Sequence, residues 1–197
     1  MNGYRISSNF DSGNIKELKK YKKEDQTIIE LEIKKDPYPP SVKYKYKYWF
    51  YFKIDDLETN KKCVFIIKHI NNIDGDWNGF QVPSSHNNIE WFRNHETHID
   101  LNKKIITWTI QPKHKTMWFA YYPPYSFERC KVLAKKYKCN ILGNIDKKHP
   151  IYYLKKGTGN KHVWIIARQH PGETCGSWML EGFLHKLFKL KNKDILS

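Results

Sequence analysis

A chain of 197 residues with 40% hydrophobic and 15% aromatic content can bury a sizeable core, which excludes disorder throughout. Its 35 Lys and Arg against 20 Asp and Glu leave a formal charge of +15, a surplus that attracts polyanions such as nucleic acid, acidic protein tails or anionic lipid. Lysines are spread over nearly every segment instead of forming one stripe, so no specific nucleic-acid surface is expected. No apolar run approaches the ~18 residues of a membrane span, and no signal peptide is expected ahead of Tyr4. Cys63, Cys130, Cys139 and Cys175 show neither a C-x-x-C spacing nor a secretory framework, which predicts a cytoplasmic protein with reduced cysteines.

Residues 4–125 read as β-rich. The run 27–33 alternates in its second half and breaks at Pro37, Pro39 and Pro40. Tyr44, Tyr46 and Tyr48 alternate with Lys43, Lys45 and Lys47, a period of two that puts rings on one face and ammonium groups on the other. That pattern suits a two-faced strand and, less well, a stacking surface for single-stranded nucleic acid. The run 49–54 extends the strand, with a bulge to shift its buried face. Further strands are predicted over 61–70, 105–110 and 117–121, punctuated by Asn, Asp, Gly and Pro. Trp77-Asn78-Gly79-Phe80 reads as a turn beside an apolar anchor. Short strands at this spacing predict an N-terminal antiparallel β-sandwich over 4–122.

The boundary falls near 122–126, and a second part, 123–197, opens there. Ser126 is placed to cap a helix from Phe127 to about Tyr137, whose Phe127, Cys130, Leu133, Ala134 and Tyr137 share a face. Strands are predicted over 140–145, 151–154 and 163–167, and a helix over 174–192 with Met179, Leu180, Phe183, Leu184, Leu187 and Phe188 at helical intervals. Strand–helix alternation is the opening of an α/β domain, so the two-part chain is α+β in class.

The chemistry concentrates at the end of the last predicted strand. His170 and Glu173 are separated by Pro171-Gly172, a tight turn that can aim an imidazole and a carboxylate at one point beyond a strand's carboxyl end. That point suits Zn²⁺, which takes nitrogen at ~2.0–2.1 Å and oxygen at ~2.0–2.2 Å. The plainer reading is a Glu that caps the following helix. Arg168 is a weak candidate for substrate binding, and a pairing with a nearby carboxylate is the commoner fate of such a residue. His95 and His98 form an H-x-x-H in a polar stretch and read as a solvated loop. His185 is excluded as a third ligand because it lies about 18 Å along a helix axis at ~1.5 Å per residue.

A resemblance sharpens this reading. Ala167-Arg168-Gln169-His170-Pro171-Gly172-Glu173-Thr174, followed by Ser177-Trp178, resembles the zinc motif of the cytosolic carboxypeptidases, a branch of the carboxypeptidase A-like metallopeptidases. Ser8-Asn9-Phe10-Asp11-Ser12-Gly13-Asn14-Ile15 resembles the S-x-F-x-x-G-N opening of that branch's N-terminal domain. Tyr48-Trp49-Phe50-Tyr51-Phe52 resembles its W-F-x-F strand, and Phe119-Ala120-Tyr121-Tyr122-Pro123-Pro124-Tyr125-Ser126 is similar to its F-A-Y-x-x-P-Y-[ST] close. The resemblance implies a β-sandwich joined to the start of a zinc carboxypeptidase domain, with His170 and Glu173 as two ligands of one Zn²⁺.

It also implies a third ligand His, a general-base Glu and an N-x-R carboxylate clamp, all expected beyond Ser197. The expected function is removal of residues from protein or peptide C-termini, acidic tails among them. The 197 residues by themselves are expected to form an inactive N-terminal fragment with no catalytic base of their own. Two rivals stay open: a related zinc amidase or deacylase that uses the same H-x-x-E, and a non-catalytic protein whose β-sandwich binds an acidic partner.

Overall fold

A computed structural model describes residues 3–35, 47–71 and 77–190. They fall into two compact units, Met1–Pro124 and Tyr125–Ser197. In chain order, the first unit contains β1 (Arg5–Ser7), β2 (Lys16–Lys23), β3 (Gln26–Glu32), β4 (Tyr51–Asp55) and β5 (Cys63–Lys68). It continues with β6 (Pro83–Ser85), β7 (Phe92–Arg93), β8 (Thr97–Asp100), β9 (Ile105–Ile110) and β10 (Met117–Ala120). These strands make two five-stranded sheets, ordered β1-β4-β10-β6-β7 and β2-β3-β5-β9-β8.

The alternation of side chains explains both sheets. Cys63, Phe65 and Ile67 of β5 and Ile106, Trp108 and Ile110 of β9 are buried, while the residues between them are partly exposed. From the other sheet come Phe52 and Ile54 of β4 and Met117 and Phe119 of β10. The two sets meet in one apolar cluster: the Phe65 ring lies 4.8 Å from Phe119 and 4.9 Å from Trp108. Burial pushes the Cys63 thiol up to about 12, so it stays a protonated core group.

One pairing departs from the all-antiparallel expectation. β3 and β5 run parallel, from Thr27 opposite Cys63 to Glu32 opposite Lys68. Between them the chain passes through β4, which belongs to the opposite sheet, and so it returns to β3's sheet in the same direction. A strand of the facing layer thus does the work of the crossover that parallel neighbours require. The 49–54 expectation is also adjusted. The ladder begins at Tyr51, and β4 is buried on both faces, with Tyr51 and Asp55 covered opposite Phe52 and Ile54, so no bulge is needed there. Residues 43–46 of the Tyr/Lys run lie outside the described residues; Tyr48 lies 5.6 Å from the Trp77 ring.

The second unit holds α1 (Phe127–Lys136), a hairpin of β11 (Asn140–Asp146) and β12 (His149–Tyr153), and α2 (Thr174–Leu187). Ser126 caps α1 as its sequence position predicts, accepting from the Arg129 backbone N–H at 3.1 Å. The strand expected over 163–167 is not formed, and this is a correction to the predicted α/β opening. Val163 and Trp164 are 85% and 87% exposed, and the segment joins no ladder with any described strand. An apolar run becomes a strand only when neighbouring backbone satisfies its N–H and C=O groups.

Candidate metal centre

His170 and Glu173 occupy the turn that leads into α2. The Glu173 N–H donates to the His170 carbonyl at 3.1 Å, and the Thr174 N–H donates to the Gly172 carbonyl at 3.2 Å. Glu173 stands at the helix N-cap position, yet its side chain makes no capping hydrogen bond. Its Oε1 lies instead 2.9 Å from His170 Nδ1. Glu173 thus stands where an acidic residue suits the helix end, without the hydrogen bond of a side-chain cap.

Both side chains are open to solvent, at 75% and 57% exposure. The 2.9 Å separation is that of a hydrogen bond between the two side chains, about 0.5 Å shorter than the ~3.4 Å that two tetrahedral zinc ligands subtend at bond lengths near 2.1 Å, so a small opening of the pair would admit an ion. An imidazole nitrogen and a carboxylate oxygen are donors that zinc accepts, so the pair fits such an ion. Among the described residues no group of three or more His, Cys, Asp and Glu gathers to hold a metal.

The other candidates sort differently. Arg168 donates to two main-chain carbonyls, Tyr125 O at 2.6 Å and Pro171 O at 3.1–3.2 Å. His185 lies 3.0 Å from the Tyr137 hydroxyl and 3.3 Å from Lys136 Nζ, on the packing between α1 and α2. His95 sits in a turn, as the solvated-loop reading requires, but His98 belongs to β8 and departs from it.

Periodicity did not reveal the pair that ties α1 to α2. Arg129 forks onto Glu181 at 2.6 and 2.7 Å and lies 4.3 Å over the Trp178 ring. Those hydrogen bonds hold Glu181 below the usual carboxylate range and raise Arg129. The sequence cue was slight: Glu181 is the one acidic residue of α2, whereas Arg129 is one of five charged residues on α1.

The motif blocks of the first unit converge around β4. Asn14 Nδ2 donates to the Trp49 carbonyl at 2.9 Å, and the Asn14 and Tyr51 backbones exchange hydrogen bonds at 2.8 and 3.1 Å. Trp49 Nε1 reaches the Ser12 carbonyl at 2.7 Å. From the third block, Phe119 pairs with Phe52, and the Tyr121 N–H donates to the Phe50 carbonyl at 2.9 Å. Stretches far apart in sequence thus form one hydrogen-bonded seam.

Residues 6–122 match the family model of the cytosolic carboxypeptidase N-terminal domain. The chain belongs to the cytosolic carboxypeptidase family. Human cytosolic carboxypeptidase 2 is 24% identical over 216 residues, covering 91% of this chain and 23% of the human protein. An uncharacterized protein of Zymomonas mobilis is 29% identical over 93% of this chain and 47% of its own length. Among solved structures, a metallo-carboxypeptidase from Pseudomonas aeruginosa superposes with a TM-score of 0.82 at 25% identity, over 97% of this chain and 51% of that one. A putative carboxypeptidase A from Shewanella denitrificans gives 0.80 at 28% identity, over 94% and 49%. The chain spans about half the length of these bacterial relatives and about a quarter of the human one.

Proposed function

We propose that this cytosolic carboxypeptidase chain contributes His170 and Glu173 to a zinc centre that hydrolyses the C-terminal peptide bond of proteins or peptides. The observation that carries the reading is the approach of His170 Nδ1 to Glu173 Oε1 at 2.9 Å, with the carboxylate turned away from the helix end it could have capped. Membership of a family whose structural neighbours are named metallo-carboxypeptidases supports it. A zinc ion held there supplies Lewis acidity, which polarises a peptide carbonyl and acidifies water.

This chain's own residues supply the holding of that ion. To hold the ion, His170 would turn an unprotonated Nδ1 to it with the ring proton on Nε2, so the metal would replace the Nδ1–H that donates to Glu173 in its absence. Glu173 contributes a charge-neutralising oxygen from the first residue of the helix junction. In this reading 4–122 is a β-sandwich and 123–197 the first part of the catalytic domain, in a protein of the cytoplasm. Zinc hydrolysis needs a third ligand and a general base besides this pair, and two ligands alone would hold the ion weakly and hydrolyse almost nothing.

Zinc titration followed by the His170 ring signals in NMR spectra tests the site. The chain is expected to take up one weakly held ion, and His170→Ala and Glu173→Gln are each expected to lose it. Unchanged zinc uptake by His170→Ala would falsify the assignment.

A further inference from the structure

Arg168 stands two residues ahead of His170 with a left-handed backbone, φ 56°. Its guanidinium works as a fork. Nε and one terminal nitrogen donate to the Pro171 carbonyl at 3.2 and 3.1 Å, and the other terminal nitrogen donates to the Tyr125 carbonyl at 2.6 Å. One prong therefore grips the middle of the turn that carries His170 and Glu173. The other grips the residue next to the cap of α1.

A second observation concerns the same spot. A Cβ added at Gly176, in the first turn of α2, would lie 3.1 Å from the Arg168 backbone nitrogen and 3.7 Å from Ala167 Cα. The backbone entering the turn is thus pressed against the helix that leaves it. Gly176 permits the approach, and the guanidinium closes it.

We infer that Arg168 is a positioning residue for the metal pair, holding the 168–173 turn so that His170 Nδ1 and Glu173 Oε1 face a common point. The inference rests on the zinc reading above. Two backbone hydrogen bonds within the turn leave two exposed side chains free to leave each other's vicinity. A planar fork anchored on two carbonyls restrains the backbone beneath them in a way one ammonium donor does not.

The sign of the effect separates this role from simple electrostatics. A cation beside a metal site repels Zn²⁺, so removing its charge alone would tighten binding. Loss of the clamp would loosen it. In zinc titrations of the full chain, Arg168→Met is expected to weaken zinc about tenfold or more, as loss of a ligand-orienting partner does. Arg168→Lys, which keeps the charge but not the fork, is expected not to restore it.

Arg129→Met serves as the control, because it breaks the Glu181 pair and a 5.7 Å contact with the Tyr125 ring while leaving the Tyr125 and Pro171 carbonyls and the turn itself in place. It is expected to lower stability and leave zinc binding in place. Unchanged or tighter zinc in Arg168→Met, with His170→Ala still abolishing uptake, overturns the clamp and leaves the zinc reading standing. So does an equal loss in Arg129→Met, which would mark a general loosening of the unit. Zinc retained by His170→Ala removes the metal reading and the clamp together.

Discussion

Phe65→Ala should be among the most damaging single changes in the first unit. The ring is fully buried, stacked on Trp108 at 4.9 Å and 9°, and packed against Phe119 at 4.8 Å and Phe52 at 6.3 Å. Those partners come from both sheets, so its removal leaves a cavity where the layers meet. Withdrawing about 150 Å² of apolar side chain at ~25 cal/mol per Å² accounts for about 4 kcal/mol. The lost ring pairing and the unfilled cavity bring the expected cost to about 4–5 kcal/mol, within the range for Phe→Ala in cores. That is a large part of the ~5–15 kcal/mol that holds an ordinary domain. Urea unfolding of the 197-residue chain, followed by tryptophan fluorescence, reads it, since Trp108 reports on the stack directly. Phe65→Leu should cost roughly a third as much, because it keeps most of the volume. A loss below ~1.5 kcal/mol for Phe65→Ala would mean the two layers are not joined through this ring, against the core volumes on which the cost is reckoned.

Gly13→Ala is expected to lose about 2–3 kcal/mol, because a Cβ there would meet the Ser8 carbonyl oxygen at 2.2 Å; an unchanged melting temperature would contradict this. Asp55 supplies an acid-dependent contribution. Burial pushes its carboxyl up, but hydrogen bonds from Lys53 and Thr116 and the charges of Lys53 and Arg5 prevail and hold it below the usual range. A lowered folded value gives stability that is present above the unfolded carboxyl's value, near pH ~4, and lost as pH falls through the folded one. Asp55→Asn should therefore lower stability at neutral pH and flatten the acid limb of the stability curve, and an identical limb in both proteins would refute it. Val163, Trp164 and Ile166 are 85%, 87% and 69% exposed, so the 197-residue chain should bind a hydrophobic dye strongly and self-associate. Trp164→Ser with Ile166→Ser should reduce both signals without moving the unfolding midpoint, and a monodisperse, dye-silent parent chain would contradict the expectation.

Strands whose own residues alternate were legible before any coordinates. β9 is the run 105–110 as read, and β3, β5 and β10 fall within a residue or two of their expected ends. β2 was invisible: Lys16–Lys23 carries five lysines and is almost wholly exposed. It is a strand because β3 offers a ladder along its edge, and its lysines guard that edge against further pairing. The 163–167 run shows the converse, with strand-like residues and no ladder partner among the described residues.

The sequence by itself determined what local chemistry can decide: the alternation that buries Phe65 and Trp108, the Ser126 cap, and the His–Pro–Gly–Glu spacing that can bring two donors together. Tertiary structure alone decided the parallel β3–β5 pair, the seam that joins Asn14 to Trp49, and the carbonyls on which Arg168 closes. Periodicity is a property of neighbours along the chain. Ladder direction and hydrogen-bond partners depend on which distant backbone arrives alongside, and no local pattern encodes that.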